Sequence, residues 1–128
     1  MAFDLYAFDP FAAPPDRHDF LDWISRSFRS ADSPQADASV TSPVLRAWQE
    51  EMRRALPGAA FRFTQQAVMA SFDWEQSGPA AFRARRAAQA RGVGLFEASA
   101  DDAPVWMISP RNRWEVIHRA GDAGRSFG

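Results

Sequence analysis

The chain has 128 residues, 46% of them hydrophobic and 13% aromatic, which is enough apolar material for one compact core. Its 15 arginines and 16 acidic residues leave a net charge of −1, so general electrostatic attraction to nucleic acid or to an anionic membrane is not expected. The absence of cysteine excludes disulfides, thiolate zinc sites and cysteine nucleophiles. Because the N-terminus lacks a basic signal-peptide start and no apolar run approaches the roughly 20 residues of a membrane span, we expect a soluble cytoplasmic protein.

The chain opens with a predicted strand and helix. Residues 3–8 alternate between two faces, as in a strand whose second face is partly covered. Asp16 is a good N-cap for a helix over residues 16–29. The apolar side chains of this helix recur at three- and four-residue spacing, which predicts a single buried stripe.

A polar loop and a second helix follow. Residues 30–41 are small and polar, which indicates a surface loop. Ser42 supplies an N-cap and Pro43 suits the first helical position, where its missing N–H costs nothing. This helix ends before Pro57, and its apolar stripe places Trp48 in the core.

The central part of the chain predicts a hairpin followed by a strand, a helix and a strand. Residues 61–64 and 68–72 can pair around a short turn. The helix predicted for residues 79–91 ends at Gly92 and is long enough to return the chain, so residues 93–98 should run parallel to residues 68–72.

The helix over residues 79–91 has an unusual composition, because its inward face must be built mainly from alanine. Small side chains let a helix approach a sheet closely. In the strand that follows, Gly94 should allow another group to pack tightly on the sheet. The predicted inward-facing residues are Ala80, Ala81, Phe82, Ala84, Ala87 and Ala88.

The C-terminal part is less regular. Residues 105–108 predict a strand, and Pro104 at its start suggests an edge position, although proline is also tolerated at the first residue of a strand. Residues 114–118 suit either a strand or one helical turn. Residues 121–128 are predicted to be mobile.

The predicted order β-α-α-β-β-α-β-β indicates an α+β fold, with a ferredoxin-like, mostly antiparallel sheet and helices on one face. We expect a single domain over residues 1–108. Residues 109–128 form an arginine-rich, partly ordered extension. A fold of this kind does not by itself specify a function.

No constellation of reactive residues points to catalysis. Neither His18 nor His118 lies in an HExxH or carboxylate–histidine motif, and phosphate-binding glycine patterns are absent. The acids beside His18 are most simply explained as the polar face of a helix. We therefore expect no enzymatic activity, no catalytic or metal residues and no cofactor. The alternative is an enzyme that pairs one of these histidines with an acid.

Acidic residues cluster at the start of the first helix. Asp16, Asp19 and Asp22 follow one another at three-residue spacing, where the helix dipole favours negative charge. They either stabilise the helix or form a surface for a basic partner. The arginines of the third predicted helix are best explained as its solvated face, not as a phosphate site. These arginines are Arg83, Arg85, Arg86 and Arg91.

Tryptophan is abundant, with five in 128 residues. Trp74 follows a strand and Trp114 lies in the C-terminal extension, so both are candidate anchors for a protein partner. The alternative is that both simply cover the open ends of the sheet. Together with Asp16, Asp19 and Asp22, they are our predicted partner-binding residues.

Several short motifs occur in a fixed order along residues 3–107. In these motifs and in their order, the chain resembles a family of small bacterial proteins. Some members are similar to immunity proteins encoded beside interbacterial toxins, including toxins of type VI secretion and polymorphic toxin systems. The motifs are Phe3-Asp4-Leu5-Tyr6-Ala7-Phe8, Val40-Thr41-Ser42-Pro43 with Leu45, Trp48 and Met52, Phe72-Asp73-Trp74, and Gly92-Val93-Gly94-Leu95-Phe96 with Ser99.

The resemblance implies an antitoxin that neutralises a cognate protein toxin by direct stoichiometric binding in the cytoplasm. We expect no nucleic-acid or membrane partner. The alternative hypothesis is a ferredoxin-like module that binds a small ligand or regulates another protein, possibly as a homodimer.

Overall fold

The computed structural model describes residues 2–29 and 41–122. Apart from Thr41, the loop predicted for residues 30–41 lies outside the described residues, as do residues 123–128. The helices and strands are β1 (Ala2–Phe8), α1 (Arg17–Ser27), α2 (Pro43–Ala55), β2 (Ala60–Phe63), β3 (Ala67–Asp73), α3 (Ser77–Arg91), β4 (Gly94–Phe96), β5 (Val105–Ile108) and β6 (Trp114–His118).

The strands form a six-stranded sheet in the order β2-β3-β1-β4-β5-β6, and every neighbouring pair is antiparallel. The predicted α+β class with an antiparallel sheet is confirmed. Strands β3 and β4 lie on either side of β1 and both run antiparallel to it, so they are parallel to each other, as the strand-helix-strand pattern predicts. The more specific ferredoxin-like arrangement stays a prediction.

Strand β1 lies inside the sheet and packs on both faces. Leu5 and Ala7 are fully buried in a first hydrophobic cluster, together with residues of α2 and α3. Phe8 is fully buried in a second cluster on the opposite face, and Tyr6 packs against that cluster. The alternation of side chains along a strand produces this division.

Helices α2 and α3 cover the face that holds the first cluster. The Ser42 side chain accepts a hydrogen bond from the backbone N–H of Leu45, which confirms the predicted N-cap of α2. The buried Trp48 indole donates a hydrogen bond to the Ala84 carbonyl of α3 at 3.2 Å. The Trp48–Ala84 hydrogen bond joins α2 and α3 into one layer. The small side chains by which α3 approaches the sheet are Ala80, Ala81, Ala84, Ala87 and Ala88.

One residue assigned to the inward face of α3 is placed differently. Phe82 is 57% exposed, and the Arg86 guanidinium lies over its ring at 5.7 Å from the centroid. The prediction for Phe82 was therefore wrong. The physical reason is helical geometry, because Phe82 lies two residues from both Ala80 and Ala84, about 200° around the helix axis, and so faces away from the alanine stripe.

Helix α1 packs with the second cluster. The Asp16 side chain accepts a hydrogen bond from the backbone N–H of Asp19 at 3.0 Å, which confirms the predicted N-cap. The buried ring of Phe20 lies edge-on to Phe8 at 5.0 Å and to Phe96 at 5.3 Å between centroids. Burial of such apolar area is what holds a short helix on a sheet.

The C-terminal residues extend the sheet. Residues 114–118 form β6, so the strand is correct among the two structures considered for them. Because β6 pairs with β5, the edge position suggested by Pro104 is wrong, and β5 lies between β4 and β6. Pro104 immediately precedes the strand, and its carbonyl accepts a hydrogen bond from the Glu97 N–H at 3.1 Å.

None of the helices in the described part of the chain is long and apolar enough to cross a membrane.

Gly94 of β4 pairs with Phe8 of β1, and the Phe8 ring lies close to its Cα. A Cβ atom added at Gly94 would lie 2.3 Å from the Phe8 ring. Because that ring is fully buried, we expect Gly94→Ala to lower the free energy of unfolding by about 1–3 kcal/mol, the usual cost of overpacking. Urea denaturation measures the change.

Gly78→Ala is the matched control, because no atom lies within 4 Å of the added Cβ and the residue is helical. It should leave stability unchanged or raise it by up to about 1 kcal/mol. Equal stability of the Gly94→Ala and wild-type proteins would contradict the observed packing.

Candidate functional site

A buried carboxylate lies between α3 and the sheet. Glu97 follows β4 and is 1% exposed. Arg85 of α3 donates to both carboxylate oxygens, from Nε at 3.0 Å and from Nη2 at 2.7 Å. The Trp106 indole N–H donates to the same carboxylate. Three donors thus replace the water that Glu97 loses on burial, which is what a buried charge requires.

Two stacked indoles extend this cluster toward the edge of the sheet. The Arg85 guanidinium lies over the Trp106 ring at 5.3 Å. Trp106 in turn stacks on Trp114 with centroids 5.0 Å apart and planes 16° from parallel. The Trp114 indole N–H donates to the Val93 carbonyl at 3.1 Å. Trp114, a predicted partner anchor, therefore uses its N–H and one ring face within the fold.

A second buried polar pair joins α1 to β6. Arg17, the first residue of α1, is 6% exposed and donates to the Ala103 carbonyl at 2.7 Å. The same nitrogen lies 3.2 Å from His118 Nδ1. A bulge in β6 turns the histidine toward α1, since Val105 pairs with His118 and Trp106 pairs with Val116.

The contact with Arg17 identifies the protonation state of His118. A guanidinium only donates, so Nδ1 must accept and the proton lies on Nε2. Burial lowers the pKa of His118, and the positive charge of Arg17 lowers it further, while Asp122 and Asp16 act in the opposite direction. Nε2 is buried without a hydrogen-bond partner among the described residues. The imidazole is thus held neutral inside the fold, whereas His18 is exposed on α1.

The predicted acidic group divides into residues with different local roles. Asp16 is occupied as the N-cap of α1. Asp22 forms an ion pair with Arg26, one turn later, at 2.8 Å. Asp19 is exposed in the first turn of the helix. Helix stabilisation therefore accounts for two of the three acids.

The fold adds acids that the sequence pattern did not reveal. Asp102, in the turn before β5, and Asp122, after β6, both lie close enough to Arg17 to favour its charged form. Asp122 and Asp16 act in the same way on His118. Three distant chain segments thus place carboxylates around the N-terminal end of α1.

Exposed aromatic side chains are the other candidates for partner contacts. Phe11, in the loop between β1 and α1, is 97% exposed, and Trp74 is 45% exposed. The Trp74 ring lies edge-on to Phe3 at 5.6 Å. Because Ala2 pairs with Asp73 and Phe8 with Ala67, Trp74 and Phe11 lie beyond opposite ends of β1. The structure therefore does not bring Trp74 and Phe11 onto one surface.

Sequence reasoning did not select Phe11. Helical and strand periodicity identify apolar residues that face a core, and a phenylalanine in an irregular loop belongs to neither pattern. The available signal was its position between Pro10 and the proline pair at 14 and 15, in a segment with no predicted element.

Within residues 2–29 and 41–122, no group of three or more histidine, cysteine, aspartate or glutamate side chains could hold a metal ion.

Comparison of the chain with protein-family models, curated proteins and solved structures finds no match.

The neutral buried imidazole predicts a pH-dependent stability. The pKa of His118 is lower in the folded protein than its value of 6.5 in a model compound. The unfolded chain therefore binds a proton more readily. We expect the free energy of unfolding to fall as the pH drops below about 6.5, until the native histidine also titrates.

His118→Asn keeps an acceptor for Arg17 without a titrating ring, so stability should depend less on pH between 7 and 5. His18→Asn is the matched control, and it should keep the wild-type slope because that side chain stays in water. Urea unfolding at several pH values measures the slopes. Identical slopes for wild type and His118→Asn would refute the assignment.

Removing the negative charge of the buried Glu97 side chain should lower the free energy of unfolding. Glu97→Gln retains the shape of the side chain but leaves the Arg85 charge without its counterion. We expect the free energy of unfolding to fall by about 1–3 kcal/mol. The loss is limited because Arg85 is partly exposed and can recover some hydration. Asp22→Asn, which removes an exposed ion pair, should cost less than about 1 kcal/mol. A smaller effect at Glu97 than at Asp22 would contradict this assignment.

Proposed function

We propose that this chain is an immunity protein, an antitoxin that neutralises a cognate interbacterial toxin by direct stoichiometric binding in the cytoplasm. The observation that carries the proposal is the 97% exposure of the Phe11 side chain, at a loop position whose backbone is held by hydrogen bonds. Aromatic residues of this kind are the usual anchors of protein interfaces.

The buried polar chemistry supports binding in preference to catalysis. Both oxygens of Glu97 accept hydrogen bonds from Arg85, and His118 Nδ1 faces Arg17 inside the fold. A general base must reach its substrate within hydrogen-bond distance. The buried Glu97 and His118 side chains thus have partners within the chain.

The size of the protein is sufficient for this role. A stable interface needs roughly 800 Å² from each partner. The described chain has an accessible surface of 7359 Å², of which such an interface would use a minor share. The resemblance of residues 3–107 to immunity-like proteins is the second support, and it suggests a toxin of the type VI or polymorphic class.

The test is co-expression with the product of the neighbouring reading frame. We expect expression of that product alone to arrest growth, co-expression to restore growth, and the two proteins to co-purify in a 1:1 ratio. Light scattering coupled to gel filtration measures the stoichiometry. A growth arrest that persists on co-expression, with no co-purification, would overturn the proposal.

A further inference from the structure

We propose that the toxin binds at the loop before α1, with Phe11 as the buried anchor and an acidic rim around the N-terminal end of α1. The partner surface that fits is an apolar pocket bordered by arginine or lysine. This inference rests on the proposed function and assigns it a surface. The acidic rim comprises Asp16, Asp19, Asp102 and Asp122.

The loop holds Phe11 in place before any partner arrives. The backbone N–H of Phe11 donates to the Asp9 side chain at 2.9 Å, and the Ala12 N–H donates to the Asp9 carbonyl at 3.1 Å. The Asp9 N–H is itself bound to the Gln66 carbonyl at 2.9 Å, which ties the loop to the β2–β3 turn. Because the backbone at Phe11 is fixed in this way, binding orders mainly the side chain, which lowers the conformational entropy lost.

The Phe11 side chain lies almost entirely in solvent. At 97% exposure its ring gains almost nothing from packing within the fold. An aromatic side chain can bury roughly 150–250 Å² when it enters a pocket. A partner that covers Phe11 therefore recovers most of the hydrophobic contribution that the free protein leaves unused.

The charge around this loop determines the kind of partner. Asp16 and Asp19 lie on the segment that Phe11 leads into. Arg17 donates to the carbonyl of Ala103, which follows Asp102 in the chain, and the Asp122 side chain accepts a hydrogen bond from the Arg119 N–H. The guanidiniums that the structure places with these acids are those of Arg17 and Arg119. Of these guanidiniums, Arg17 is buried and Arg119 is paired with Asp102 at 3.1 Å. An excess of negative charge favours and steers a basic partner.

Asp22 does not belong to this rim, although it was one of the predicted partner-binding residues, because it lies six residues beyond the N-cap Asp16, away from the N-terminal end of α1. The other exposed aromatic positions lie in different charge surroundings. Phe82 stands beside Arg86 on α3, which carries four arginines and no acid. Phe82 is therefore a matched control for Phe11.

The experiment compares Phe11→Ala with Phe82→Ala in the full chain, with binding to the purified neighbouring gene product measured by calorimetry. Truncating an interface anchor typically weakens binding by about 30-fold or more, so we expect at least that rise in Kd for Phe11→Ala. Phe82→Ala should stay within about threefold of wild type. Both variants should keep the wild-type urea midpoint, since each side chain is largely exposed.

Asp19→Arg tests whether the negative charge of the acidic rim speeds association with the partner. We expect its association rate to fall by about tenfold at low salt and its salt dependence to be weaker than that of the wild type. Glu75→Arg, at an exposed acid beside Trp74, is the matched control and should keep the wild-type rate.

The outcomes separate the two proposals. If the wild-type protein does not bind the neighbouring product, the proposed function fails. If wild type binds but Phe11→Ala and Asp19→Arg bind equally well, only the surface assignment fails. Light scattering of the free protein should show a monomer. A dimer that Phe11→Ala dissociates would assign Phe11 to self-association and overturn this inference.

Discussion

Strand β1 carries buried side chains on both of its faces and pairs with β3 along its whole length, and the position of each helix follows from this arrangement. Leu5 and Ala7 face the layer of α2 and α3, while Phe8 faces α1. A register slip of one residue would exchange the two sets. The pairing of β1 therefore fixes the sheet and both of the layers that pack on it.

Two guanidiniums tie the helices to the C-terminal half of the sheet. Arg85 reaches from α3 to Glu97, and Arg17 reaches from α1 to the Ala103 carbonyl and to His118. Buried polar groups need well-aligned partners, so these contacts favour one docking position for each helix. The same contacts account for the most buried ionisable groups among residues 2–29 and 41–122.

Much of the fold could be predicted from local rules. The caps at Asp16 and Ser42, the left-handed Gly92 at the end of α3 and the alanine stripe all appear where helix chemistry requires them. Predictions failed where a residue's environment depends on distant elements. Pro104 precedes an interior strand because β6 adds to that side. Phe82 is a different case, because helical spacing alone turns it away from the alanine stripe, and it is exposed.

The candidate site could be predicted only in part. Asp16, Asp19 and Asp22 were recognisable as an acidic helix start, but Asp102 and Asp122, which act on the charge of Arg17, come from the other end of the chain. Trp114 could not be assigned to a stack with Trp106 before the pairing of β5 with β6 was known.

The sequence by itself determined most of the helices and strands and the main apolar stripe of each helix, because spacing and capping act within a few residues. Only the tertiary structure decided which charges meet, as in Arg17 with His118, and which aromatic side chain stays in water, as Phe11 does. Burial is a property of the surroundings in space. Those surroundings are supplied by residues as far as 101 positions apart along the chain.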